Sequence, residues 1–354
     1  MKKRRLTVKE RAKVNKEFYF KLINAFIATN IVCFCALGYI YFRLVKYEEA
    51  SPEGAIRNYL SLIENKKYKE VYEESKLVFD QFNDEAIYIE YLQDFYNDKT
   101  FKNARFMKQS YSDDVFLYYN IYDENDSLIS NVQLKKIDDI YHVRTLTSIW
   151  NFDFDVINNL EFSINDVIVN NSYLTEDNVD CNAFNDIKNI EEVVKVDRYH
   201  LDNFVNIPDV KVNSISGIAV KDAINDQFYI GLKPTFEEKE EYENLILNVA
   251  QTYSKYITED EKFYNLRKLL LRNTKFYQDI STFNNQWFSL HDSVEFKNIE
   301  IFDIVKLDND FFIGSIKYDY EVKAGEKIQV YPTGYQIFFT KVNDNWLCTN
   351  LLLL

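Results

Sequence analysis

Residues 22–42, LINAFIATNIVCFCALGYIYF, run for 21 positions without a charge. At about 1.5 Å per residue such a run makes roughly 31 Å of helix, enough to cross the hydrocarbon core of a bilayer. Tyr39 and Tyr41 sit near one end, where amphipathic rings favour the interface. Upstream lie nine cations, among them Lys2, Lys3, Arg4, Arg5 and Lys21. Downstream, Arg43 and Lys46 are soon followed by Glu48, Glu49 and Glu53. The bias predicts a basic cytoplasmic tail over 1–21, a transmembrane helix over 22–42, and everything from about 45 onward outside the cell membrane. A cleaved signal peptide competes, but the apolar run is longer than a signal core and no small-x-small site follows it.

Charge divides the chain at the same place. Residues 1–50 hold eleven Lys/Arg against four Asp/Glu, net +7, whereas the remainder holds 31 basic and 52 acidic residues, net −21. The two parts are expected to meet different environments. Hydrophobic content of 47% is that of a folded chain. The 27 Tyr and 28 Phe accompany many Lys, Asn and Ile, a bias of AT-rich codons, so the aromatics are expected in the core rather than on a base-stacking platform.

One phrase is written twice. KIDDIYHV (136–143) and KVNDNWLC (341–348) share Lys, a β-branched residue, a two-residue Asn/Asp pair, and then an aromatic residue two places on. Asp138-Asp139 and Asn343-Asp344 suit a tight turn because Asn and Asp tolerate left-handed backbone. Each phrase therefore reads as a hairpin, with Tyr141 and Val143, or Trp346 and Cys348, on the buried face of the closing strand.

The segments before the two phrases match as well. SPEG offers Ser51 as N-cap and Pro52 at the first helical position. Helices are expected over 51–63, 66–75 and 83–98, then strands over 103–111, 115–123, 128–136 and 140–148. In the second copy TFEE (235–238) is a capping box opening a long helix, TEDE (258–261) reads as another, and strands are expected over 295–306, 310–323, 328–341 and 345–352. Between the copies, EFSINDVIVNN (161–171) alternates around Asn165-Asp166, a type I′ hairpin signal. The fold class is α+β: a first α+β domain over 51–150, a small β-rich domain over 155–233 and a second α+β domain over 235–354.

Helices followed by an antiparallel sheet closed by K-x-(N/D)-D-x-(Y/W) resemble the nuclear transport factor 2-like, or cystatin-like cone, superfamily. The resemblance covers 51–150 and 235–354, and its motif is structural. The segment between them resembles the hairpin modules that accompany such cones. The layout is also similar to single-pass, membrane-anchored proteins of low-GC Gram-positive bacteria, including conjugation scaffolds and wall-stress proteins. The resemblance implies two cones carried outside the cell on one span.

No catalytic motif stands out. His142, His200 and His291 have no metal-ligand spacing, and outside the span only Cys181 and Cys348 remain, pairing undecided. None of the seventeen Ser has Lys three residues later, so the nucleophile motif of the penicillin-binding transpeptidases, whose membrane-proximal domain is also cone-shaped, is missing. No catalytic, cofactor-binding or metal-binding residue is assigned, and no cofactor is expected. The partners expected are the lipid bilayer, through 22–42, and an envelope protein or small ligand. A homo-oligomer is compatible with the sequence. Nucleic acid and anionic wall polymer are disfavoured by the −21 field. The nearest basic cluster, LRKLLLRNTK (266–275), is expected to set Arg267, Lys268, Arg272 and Lys275 along one exposed helix side. The leading reading is a non-enzymatic extracytoplasmic binding module. A cone-fold enzyme with an acid/base pocket and a structural spacer are the alternatives.

Overall fold

The computed structural model describes residues 8–76, 81–112, 115–146, 150–157, 160–187, 193–283 and 290–354. The chain is α+β and packs as two compact units, Met1–Val78 with Tyr88–Thr147, and Phe79–Ile87 with Ser148–Leu354.

The first unit begins with α1 (Val8–Glu49), 42 residues without a break. Its stretch Phe18–Glu49 is long and apolar enough to span a membrane, and none of its most apolar part is buried. The polar residues inside it are tied to the preceding turn: Thr29 Oγ1 donates to Ala25 O at 2.9 Å and Asn30 Nδ2 to Phe26 O at 2.8 Å. Ser51 then caps α2 (Pro52–Glu64) by accepting from Gly54 N at 3.0 Å, with Pro52 in the first turn. Ile56, Tyr59, Leu60 and Ile63 turn inward at helical spacing. After α3 (Tyr68–Ser75) and α4 (Glu85–Tyr96) comes a four-stranded antiparallel meander, β1 (Arg105–Lys108), β2 (Phe116–Tyr122), β3 (Leu128–Ile137) and β4 (Ile140–Thr145), in that spatial order. The last strand was expected to run on through 147 and 148, which lie outside the described residues.

The second unit holds the rest. Its β5 (Trp150–Val156) is followed by the short pair β6 (Phe162–Ile164) and β7 (Val167–Ile168). Then come β8 (Leu174–Asp180), β9 (Lys195–Phe204), β10 (Val210–Val212), β11 (Gly217–Lys221) and β12 (Gln227–Leu232). Three helices follow, α5 (Phe236–Ile257), α6 (Phe263–Leu266) and α7 (Lys275–Ser281). The chain closes with β13 (Ser293–Lys306), β14 (Phe311–Ala324), β15 (Lys327–Val342) and β16 (Asn345–Leu353). The strands expected near the C-terminus thus lie within two residues of their expected limits.

Strands from 150–233 and from 235–354 join one nine-stranded sheet in the order β16-β15-β14-β13-β12-β5-β9-β8, with β11 beside β12. The junction is short: β12 runs parallel to β5 from Gln227↔Asp153 to Ile230↔Val156 and touches β13 at Leu232↔Lys306. Two bulges bend β13, near Asn298 and Asp303, whose φ values are 51° and 50°. The helix α5 lies on one face of this bent meander. Gly314 makes that approach possible, because a Cβ there would lie 2.3 Å from Ile246 Cδ1. Central strands are buried on both faces: Phe312 and Phe339 face α5, whereas Phe311 and Phe338 pack with Phe184 and Tyr229.

The repeated phrase is a repeated structure. Asp138 and Asp139 have φ of 48° and 66°, Asn343 and Asp344 have 50° and 61°, the backbone of a two-residue I′ turn. Both hairpins share one register, Lys136↔Tyr141 and Lys341↔Trp346. Val143 and Cys348 are buried, as expected, while Tyr141 and Trp346 are half-buried. Asn165 and Asp166 form a third such turn, with φ of 51° and 65°.

Two local readings are corrected. Thr258 is the C-cap of α5 and not the start of another helix, since its N–H returns to Ser254 O. Its TEDE sequence fits both ends, and the helix arriving from upstream wins. The 266–275 stretch is not one helix side either. Leu266 ends α6, and the chain then lies along β16, with Leu271 N donating to Cys348 O and Cys348 N to Leu269 O, each at 2.8 Å. Asn273 turns at φ 68° before α7 starts. Arg267 and Lys268 sit over the Tyr264 ring at 4.6 and 4.1 Å.

Candidate functional site

The first unit has a groove of about 650 Å³ where α1 ends. Its walls are Lys46 and Glu49 from α1, Asn58 and Tyr59 from α2, Glu74 from α3, and Asp139–Val143 from the closing hairpin. Local chemistry builds it. Gly54 lets α1 and α2 meet closely, since a Cβ there would fall 2.0 Å from Glu48 O. Ser51 Oγ donates to Glu48 O at 2.6 Å, and Arg57 pairs with Glu48. His142 Nδ1 lies 2.7 Å from Glu74 O, so the imidazole ties the end of α3 to β4. The groove holds three carboxylates, Glu49, Glu74 and Asp139, against one Lys. Asp139 is bonded to Lys136 at 2.8 Å, which lowers its pKa. Ile140 projects beside them, 62% exposed.

Each unit also buries a network of hydroxyls between helix and sheet. In the first, Tyr59 Oη lies 2.5 Å from Thr145 Oγ1, and Tyr96 Oη lies 2.8 Å from both Thr145 Oγ1 and Ser130 Oγ. Burial raises the pKa of Tyr59 and Tyr96, so both phenols stay neutral. In the second, Ser254 Oγ lies 2.6 Å from Tyr318 Oη and 3.0 Å from Tyr335 Oη, and Tyr318 donates to Ala250 O.

One turn further along α5 the network becomes ionisable. Thr258 Oγ1 lies 2.8 Å from Tyr320 Oη and 2.6 Å from Asp260 Oδ2. His291 Nε2 reaches both oxygens of Asp260, at 3.1 and 3.0 Å. Burial pushes the Tyr320 hydroxyl up to about 12. The His291 side chain is only 6% exposed, and neither it nor Asp260 lines the 400 Å³ cavity of the same unit, which is walled by Asn182, Asp222, Asn225, Thr274 and Asn350.

Two further charged groups hold the second unit's strands. Asp155 is fully buried on β5, bonded by Arg198 Nε at 2.8 Å and by Asn182 N at 2.8 Å, while Arg198 reaches Glu176 at 2.6 Å. His200 sits between Asp153 and Asp202, 2.6 Å and 2.9 Å from its two ring nitrogens. The hydrogen bond to Asp153 is the chief reason its pKa is raised.

Cys181 and Cys348 are free and buried, in separate cores of the second unit, and burial raises both thiol pKa values. Among the described residues no group of three His, Cys, Asp or Glu could hold a metal ion. The groove and the Asp260–His291 pair carry no motif spacing, and sequence reasoning missed both. The signal available was the repeated hairpin, which marks Ile140 and Tyr141. No family model matches the chain, and no curated protein matches it.

Proposed function

We propose that the chain is a single-pass membrane protein of a bacterial cell envelope, anchored through 22–42 with its N-terminus in the cytoplasm. Its two α+β modules are cones of the nuclear transport factor 2-like kind, and they bind rather than catalyse. The helix-then-meander order common to both modules supports the cone reading, as does the shared hairpin register.

The observation that carries binding is the groove at the end of α1. A cleft of about 650 Å³ with an exposed Ile140 and an excess of carboxylates suits an extended protein segment bearing an apolar residue beside a Lys or Arg. The Asp260–His291 pair favours the alternative, an acid–base enzyme, but neither residue lines the 400 Å³ cavity described in the second unit.

Photo-cross-linking in living cells tests the proposal. A photoreactive residue at Ile140 is expected to give an adduct of one discrete mass, and Glu74→Lys is expected to weaken it about tenfold. Adducts no stronger than those from Lys102, on the exposed surface of the same unit, would remove the groove from consideration. External protease that digested 1–17 in intact cells would reverse the orientation.

A further inference from the structure

The 400 Å³ cavity of the second unit lies where four pieces of chain meet: the single turn Asn182–Phe184, the connection between β11 and β12, the first turn of α7 and the last part of β16. Its volume is at the small end of the roughly 300–1,000 Å³ of ligand sites. Its base is closed and apolar, with Phe184 and Phe338 each 1% exposed. Its rim is charged, Asp186 and Asp279 against Lys275, all three exposed. Asp222 lies deeper and is already engaged. Its Oδ1 accepts from Ile224 N, Asn225 N and Asn225 Nδ2 at 2.9, 2.7 and 3.1 Å, and its Oδ2 accepts from Tyr229 Oη at 2.9 Å.

The polar groups that remain in the wall are neutral and of both kinds. Tyr229 and Thr349 donate their protons to Asp222 Oδ2 and Phe338 O, so each hydroxyl oxygen offers the cavity an acceptor. Asn350 accepts from Leu351 N through Oδ1, which leaves its Nδ2 as a donor. Gln227 supplies the second donor. It is only 7% exposed, and its Nε2 has no hydrogen-bond partner among the described residues. It shares the strand face of Tyr229, two places along β12, and its Oε1 accepts from Asn182 Nδ2 at 3.2 Å. Tyr229 and Asn182 both line the cavity, so a buried donor in want of an acceptor stands at its wall.

We propose that this cavity binds a neutral polyhydroxylated ligand of monosaccharide size. A hydroxyl both donates and accepts, so a ring carrying several of them matches a wall of mixed amides and hydroxyls, while its C–H face rests on the phenylalanines. An anion would meet three carboxylates for one Lys. A wholly apolar ligand would leave the Gln227 and Asn350 donors unpaired. The assignment is independent of the groove in the first unit.

Full-length protein in lipid nanodiscs tests it, titrated with D-glucose, D-galactose and D-mannose and followed by saturation-transfer NMR. D-glucuronate, a carboxylate in place of one hydroxyl, is the anionic match. At least one neutral sugar is expected to bind saturably, with D-glucuronate at least about tenfold weaker than glucose. Asn225→Trp, at the exposed mouth, is expected to abolish sugar binding with the melting temperature of the sugar-free protein unchanged. Gln227→Met removes the buried donor at similar volume and is expected to weaken the sugar about tenfold, the effect of one lost hydrogen bond. Absence of saturable binding by all three sugars, D-glucuronate binding as well as glucose, or sugar binding that survives Asn225→Trp would each overturn the proposal.

Discussion

Each unit places hydroxyl groups in its core, yet the two networks end differently. In the first, Tyr59, Tyr96, Thr145 and Ser130 satisfy one another, and no carboxylate or imidazole joins them among the bonds described. In the second, Ser254, Tyr318 and Tyr335 form a similar closed set, but one helical turn on the chain adds Thr258, Asp260 and His291. A helix-and-meander layout thus accommodates either a neutral clasp or a clasp that reaches an acid–base pair. Fold order alone does not say which, so chemistry must be argued from the residues.

The largest effect expected is on the aromatic core of the second unit. Tyr242, Phe312 and Phe339 stack at 3.9 and 4.5 Å, with Trp346 edge-on. Phe312→Ala should cost about 3–5 kcal/mol in urea unfolding, and a loss below about 1 kcal/mol would mean that the stack does not organise this core. Close behind is the buried pair. Arg198→Met strands Asp155 and should cost about 3–5 kcal/mol, whereas Asp155→Leu with Arg198→Met should recover most of it. Failure of the double variant to recover would show that Asp155 acts chiefly through Asn182.

Thr145→Val and Ser254→Ala remove the central hydroxyl of each network. Each should cost about 1–3 kcal/mol by leaving buried phenols short of a partner. Unequal losses would rank the two clasps, and no loss in either would reduce them to incidental contacts. The smallest effect is a pH dependence confined to the second unit. The folded pKa of His200 is raised above 6.5, so its contribution is fully present below about pH 6.5 and fades as pH rises through the raised value. His200→Gln should remove that slope from melting temperatures taken between pH 5 and 9, and a slope that survives must come from another group.

What the sequence revealed of this comparison was local. Ser51, Thr235 and the paired Asn/Asp turns act through bonds to residues two or three places away, and all were legible. Thr258 was misread because the same residue types serve a cap from either side. The β5–β12 pairing joins residues some seventy apart and leaves no mark in periodicity. The hydroxyl networks were hidden for a different reason. Tyr59, Tyr318 and Tyr335 occupy apolar-face positions, so pattern alone makes them core, and only the third dimension brings Thr145 or Ser254 to their oxygens.

The joint between α1 and α2 has a mechanical meaning. Only Ala50 and Ser51 separate the two helices, and Ser51 is bonded to both sides while Gly54 seats one against the other. Such a joint has no slack. The direction of α1 therefore fixes where α2 sets Asn58 and Tyr59 in the wall of the groove.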